Sequence, residues 1–279
     1  MRGNRLGMVC LMTWGMVTGL LGQQPAGRQV VEAAEQTLLS LGMEEIRVAQ
    51  TDSVCTIAYE DNIYRGTYRG LAAVIEALRS LPETEQATAY ELVVVDDRIP
   101  RLLLTLPRQT AALEVSYDTD EAMRRLKGKE RRNKMAGRID VVLYPELFLQ
   151  NSWLDKLYGV AVNFSPAIWM DLWKGAVLTG QVVLPVYTNM TDFRKYIRPG
   201  VITLRQEFRL PGGVLGRLTA GNFTGNRMGV DAALRYQPAR GRWLVGANVG
   251  LTGSSTCYGG EWVVSTWRRV SGSVWGRYN

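Results

Sequence analysis

From Ile139 to the end of the chain, apolar and polar residues alternate in short runs broken by turn residues. In Gly229–Gln237, Val230, Ala232, Leu234 and Tyr236 fall on one side of a period-two strand. Asp231, Ala233, Arg235 and Gln237 fall on the other. Gly200–Leu210 repeats the pattern, setting Ile202, Leu204, Phe208 and Leu210 against Thr203, Arg205, Glu207 and Arg209. Runs of this length suit a membrane-crossing strand, which needs roughly 9–11 residues. The spacing predicts about nine strands, with the last two, Glu261–Arg269 and Gly272–Tyr278, closing the chain. Turns at 211–213, 238–241 and 269–271 are short. Connections at 185–199, 222–229 and 252–260 are longer and more polar, an asymmetry expected of outer-membrane barrels.

Helical spacing occurs only nearer the start. Val31, Ala34, Leu38 and Leu41 predict a helix over 28–41 that Gly42 stops. Leu71, Val74, Ile75 and Leu78 predict a second over 70–81, ended by Pro82. Alternating runs at 46–50, 54–59, 91–96 and 101–106 supply strands. The order α-β-β-α-β-β predicts a small α+β domain, both helices packed on one face of an antiparallel sheet.

The first residues read as a secretory signal: Arg2 and Arg5, then an apolar stretch from Met8 to Leu21. The expected organisation is a signal peptide over 1–22, a periplasmic α+β domain over 28–118, a basic linker over 119–137 and a transmembrane β-barrel over 138–279. The odd strand count, and a C-terminus without an aromatic terminal strand, leave two alternatives: a strand count that is off, or the front of a larger, here incomplete, barrel.

Composition narrows the chemistry. The 279 residues carry a net charge of +7 and no histidine, which removes Ser-His-Asp and Cys-His catalysis and most zinc sites. Cys10 lies in the signal; Cys55 and Cys257 are expected to be free thiols. The basic cluster Arg124, Arg125, Lys127, Lys129, Arg131, Arg132 and Lys134 reads as a solvated linker or as a collar that meets lipid phosphates. No aromatic residue is interleaved for base stacking, so nucleic acid is not an expected partner. Trp153, Tyr158, Trp169, Trp173, Tyr187, Tyr196, Trp243, Tyr258, Trp262, Trp267 and Trp275 sit near strand ends, as residues of the lipid–water boundary do.

No catalytic, cofactor or metal residue is expected. Arg205, Glu207, Arg209, Arg217, Asp231 and Arg235 are the candidate lumen-lining residues, either a polar path for sugar or an ion-pair network that fills the barrel. Two rival readings share the pattern. One is a soluble exported binding module with an α/β domain and a β-sandwich whose apolar face turns inward. The other is a carboxylate-dependent polysaccharide hydrolase using Asp96-Asp97 or Asp118 with Asp120, although Asp96-Asp97 reads more simply as a solvated turn.

Two groups of passages resemble a known family. Leu41–Val48 with Ala58–Arg65 resembles the periplasmic α/β repeat of the YjbH-like exopolysaccharide-biosynthesis outer-membrane proteins. Ile197–Val201, Leu218–Phe223, Arg227–Asp231, Tyr236 and Gly241–Trp243 resemble the barrel portion. The resemblance implies an outer-membrane location with the N-terminal domain in the periplasm. It also implies a non-enzymatic part in polysaccharide or capsule biosynthesis and export. The partners it implies are outer-membrane lipid, polysaccharide and export-machinery proteins.

Overall fold

The computed structural model describes residues 26–278, apart from 52–53, 65–67, 83–85, 109–111, 152–156, 191 and 225. The expected signal peptide, Cys10 and Trp153 lie outside the described residues.

The N-terminal unit begins with α1 (Ala26–Ser40), whose Val30, Ala34 and Leu38 recur every four residues and are buried. The helix ends where Gly42 enters the left-handed region at φ 75°. Gly42 N–H then donates to Leu39 O and Met43 N–H to Leu38 O, closing the last turn. Strands β1 (Glu44–Thr51) and β2 (Val54–Glu60) pair antiparallel; α2 (Tyr68–Arg79) crosses over to β3 (Ala89–Asp96). A crossover of this kind makes β2 and β3 parallel, so the sheet is mixed and not purely antiparallel as expected. Strands β4 (Ile99–Pro107) and β5 (Glu114–Ser116) complete the order β1-β2-β3-β4-β5.

Both faces of this sheet are covered. One packs Leu38, Met43, Ile57, Tyr59, Val74, Leu78 and Leu92 with α1 and α2. The other packs Ala49, Ala58, Val93 and Val95 under Ala122 and Leu126. Those last two belong to α3 (Asp120–Arg125) and the residue after it. The stretch read as a linker therefore contributes to a core.

The large sheet is an antiparallel meander: β6 (Ile139–Asn151), β7 (Tyr158–Trp173), β8 (Ala176–Thr188), β9 (Arg198–Leu210), β10 (Val214–Phe223), β11 (Arg227–Tyr236) and β12 (Trp243–Tyr258). Two strands share the last edge. β13 (Glu261–Val264) pairs with Ser255–Tyr258, and β14 (Arg269–Tyr278) pairs with Trp243–Thr252. The final two runs are thus one interrupted strand beside β12, so the nine strands fill eight positions. The expected turn at 269–271 is the start of β14, and the expected loop at 252–260 is largely strand. The expected loop at 222–229 shrinks to a tight connection between Phe223 and Arg227.

The sheet is open. Among the described strand pairs none joins β6 to β14, so the structure is a large antiparallel sheet and no closed barrel. Its two faces differ sharply. Val230 (40%), Leu234 (53%) and Tyr236 (48%) are solvent-exposed, as are Val141, Leu143, Leu204, Leu218, Val249 and Val274. Among the described residues no second layer covers this apolar face. The opposite, polar face carries buried Thr203 and, bonded to the N-terminal unit, Arg205 and Glu207.

Candidate functional site on the polar face of the large sheet

All six candidate residues lie on the polar face, because cross-strand register keeps partners on one side. Arg217 sits opposite Glu207, Thr219 opposite both Arg205 and Asp231, and Leu215 opposite both Arg209 and Arg235. What this face meets is the β3–β4 end of the N-terminal unit. Arg205 Nη2 donates to Asp97 at 2.5 Å, and Arg101 pairs with Glu207. Arg209 donates to Tyr117 O at 2.6 Å and to Pro100 O at 3.3 Å. Backbone groups extend the seam. Gly175 N–H donates to Asp97 O at 2.9 Å, and Tyr117 N–H donates to Ala239 O at 3.0 Å. Gly175 fits there because a Cβ would stand 2.1 Å from Glu207 O, and its φ of 75° suits glycine.

Three of the six are therefore docking residues: Arg205, Glu207 and Arg209. The other three face cavities. Arg217 and Arg235 line a cavity of about 800 Å³ together with Arg101, Tyr117 and Trp275. Asp231 accepts from Asn248 at 3.4 Å and borders a neighbouring cavity of about 610 Å³ with Arg227 and Arg269. A third cavity, of about 670 Å³, lies where Asp96 and Asp97 face Tyr144, Trp169, Asp171 and Gln181. Aromatic rings beside carboxylates and an amide are groups that can stack on and hydrogen-bond to sugars.

The β3–β4 turn is a strained centre of the site. Asp97 and Arg98 both have left-handed backbones, at φ 50° and 62°. Glu60, the last residue of β2, braces them: its carboxylate accepts Asp97 N–H at 2.7 Å and Arg98 N–H at 3.0 Å. Burial pushes the Glu60 carboxyl up to about 7, against the pull of those two donors. Burial likewise raises Asp97 to about 6, opposed by the Arg205 charge. Glu60, Asp96 and Asp97 offer oxygens within 4.8 Å of one another, the separation of a metal-ligand set. Each is already engaged by protein, however: Glu60 by the turn, Asp97 by Arg205 and Asp96 by Arg101 at 2.9 Å. As arranged, these carboxylates hold the seam together.

Asp97 is thus no solvated turn residue, since its side chain is only 15% exposed. Nothing local announces this: Asp97, Arg101 and Tyr117 acquire their roles from strands a hundred residues away. The basic cluster also changes character. Arg125 bonds Glu91, Arg131 pairs with Glu45, and Arg132 with Glu35. The segment is neither a free linker nor a bare collar, because much of its charge is spent on carboxylates of the N-terminal unit. Two tryptophans assigned to strand ends point elsewhere. Trp169 faces the 670 Å³ cavity, and the Trp275 ring occupies the space that a side chain at Gly246 would need. Tyr158, Tyr187 and Tyr258 are exposed towards one end of the sheet. Trp173, Tyr236, Trp243 and Tyr278 are exposed towards the other.

Comparison of the chain with protein-family models, curated proteins and solved structures finds no match.

Proposed function

We propose that the large sheet is the membrane-embedded part of an outer-membrane protein that assists exopolysaccharide or capsule biosynthesis and export without chemistry of its own. The observation that carries this reading is the bare apolar face of the large sheet, exposed while Arg205, Glu207 and Arg209 of the opposite face are engaged by the N-terminal unit. In water such a face is a costly arrangement; in hydrocarbon it is the favoured one. The rival β-sandwich would bury the same residues between two layers. Exposed aromatics towards both ends of the sheet fit two lipid–water boundaries.

Orientation follows from the turns. The N-terminal unit bonds to the β7–β8 and β11–β12 connections at Gly175 and Ala239, whereas the longest connection, from Thr188 to Arg198, lies at the opposite end of the sheet. Long loops face outwards and short turns the periplasm in outer-membrane barrels, which supports a periplasmic place for this unit. The polar face and its aromatic-lined cavity supply contacts for a polysaccharide, and the N-terminal unit offers a surface for an export partner. A sheet in hydrocarbon cannot leave backbone groups unpaired, so the reading requires β6 and β14 to find partners within the membrane.

Fractionation tests it. The protein should sediment with outer membranes, resist extraction by salt and alkaline carbonate, and be released by detergent. Recovery in the soluble periplasm would overturn the proposal.

A further inference from the structure

We propose that the groove between β1, the β3–β4 turn, the chain after α3 and the β7–β8 turn is a binding site for a phosphoryl group. The cavity measures about 320 Å³ and is lined by Arg47, Arg98, Lys129, Arg131 and Lys174, with Glu45 as the acidic residue among them. Glu45 is already engaged: it pairs with Arg131 at 3.2 Å within the groove and accepts Met135 N–H at 3.2 Å. Arg98, Lys129 and Lys174 have no carboxylate in the groove, and Arg47, the fourth cation, meets Glu45 only through its charge.

Arg98 is the decisive group. It is 8% exposed, yet its Nε and Nη2 have no hydrogen-bond partner among the described residues. Asp171 acts on it only through its charge. Arg47 Nε is likewise buried and unpaired. Burial, and then the charge of Arg131, make protonated Arg47 less favourable. Buried guanidinium donors without acceptors are expensive, and an oxyanion between them would satisfy both. Lys129, Arg131 and Lys174 are exposed, so they form the rim over the two arginines below.

The charge favours phosphate over a lone carboxylate. A carboxylate cancels one of four cations. A phosphate monoester cancels about two and presents three strong acceptor oxygens to two guanidinium forks. Such a group is carried either by a soluble phosphorylated compound or by a lipid headgroup.

The test uses the whole protein in an uncharged detergent. Inorganic phosphate is titrated calorimetrically at fixed ionic strength, with chloride as the control anion. Phosphatidylcholine vesicles with and without phosphatidic acid form the second arm. The variant is Lys129→Gln with Lys174→Gln, two exposed side chains whose loss leaves the fold intact; Arg98→Ala is the deeper companion. Phosphate binding that weakens about tenfold or more in the double variant supports the site and a soluble source. Binding confined to phosphatidic-acid vesicles and lost in the same variant supports it with a lipid source. Phosphate bound no better than chloride in both arms would overturn the proposal. So would binding unchanged by both variants.

Discussion

The brace beneath the β3–β4 turn predicts that the seam loosens as pH rises. Glu60 titrates at about 7 in the folded protein, against an ordinary 4.5. A raised carboxyl favours folding in its protonated form. That stabilisation is fully present below pH 4.5 and is lost as pH rises through 7. The gap corresponds to about 3 kcal/mol. Asp97, raised from 3.8 to about 6, acts in the same direction at lower pH. Hydrogen exchange followed by mass spectrometry on the peptide spanning Asp96–Arg101 measures the effect, after correction for intrinsic exchange. Protection there should fall about a hundredfold between pH 5 and pH 8, while α1 changes little. Glu60→Gln resembles the protonated carboxyl but loses one acceptor. It should cost about 1 kcal/mol at pH 5 and remove most of the further loss above it. An unaltered pH dependence in Glu60→Gln would refute the reasoning, as would protection that increases with pH.

Other perturbations address separate parts of the account. Gly175→Ala places a Cβ against Glu207 O at a left-handed residue, and should lower stability by about 1–3 kcal/mol in a urea titration. Leu218→Arg, on the exposed apolar face, should lower the stability of vesicle-inserted protein by about 2–4 kcal/mol. Thr219→Arg, one residue along on the polar face, should cost much less in the same urea titration. Cys55 is fully buried with its thiol pushed up to about 12, so it should resist maleimide at neutral pH until the protein is unfolded.

Much of the architecture was legible because it is periodic. Every second residue of 229–237 already separates Val230, Leu234 and Tyr236 from Asp231 and Arg235, and the structure keeps that separation. Helix α1 was readable from Val31, Ala34, Leu38 and Gly42, within two residues at its start. Pairing was harder. The hairpin turn expected at 269–271 lies inside β14, the break falls at 265–268 within an expected strand, and β13 and β14 both return to β12. The 16-residue strand β7 carries Pro166 at its middle, where a proline ordinarily argues against a central strand, yet Pro166 lies opposite Leu143 within the ladder. The polar face was found as a set. Its partners Asp97, Arg101 and Tyr117 were not, because their meaning depends on which unit packs against which face. The parallel pairing of β2 with β3 likewise depends on where α2 crosses the sheet, which spacing alone leaves open.

Spin labels placed one at a time along β11 test the central claim directly, in protein reconstituted into lipid bilayers with Cys55 and Cys257 replaced. Collision with dissolved oxygen should exceed collision with a water-soluble nickel complex at 230, 232 and 234, and fall at 231, 233 and 235. Low oxygen accessibility at 230, 232 and 234, or no alternation along the strand, would contradict it.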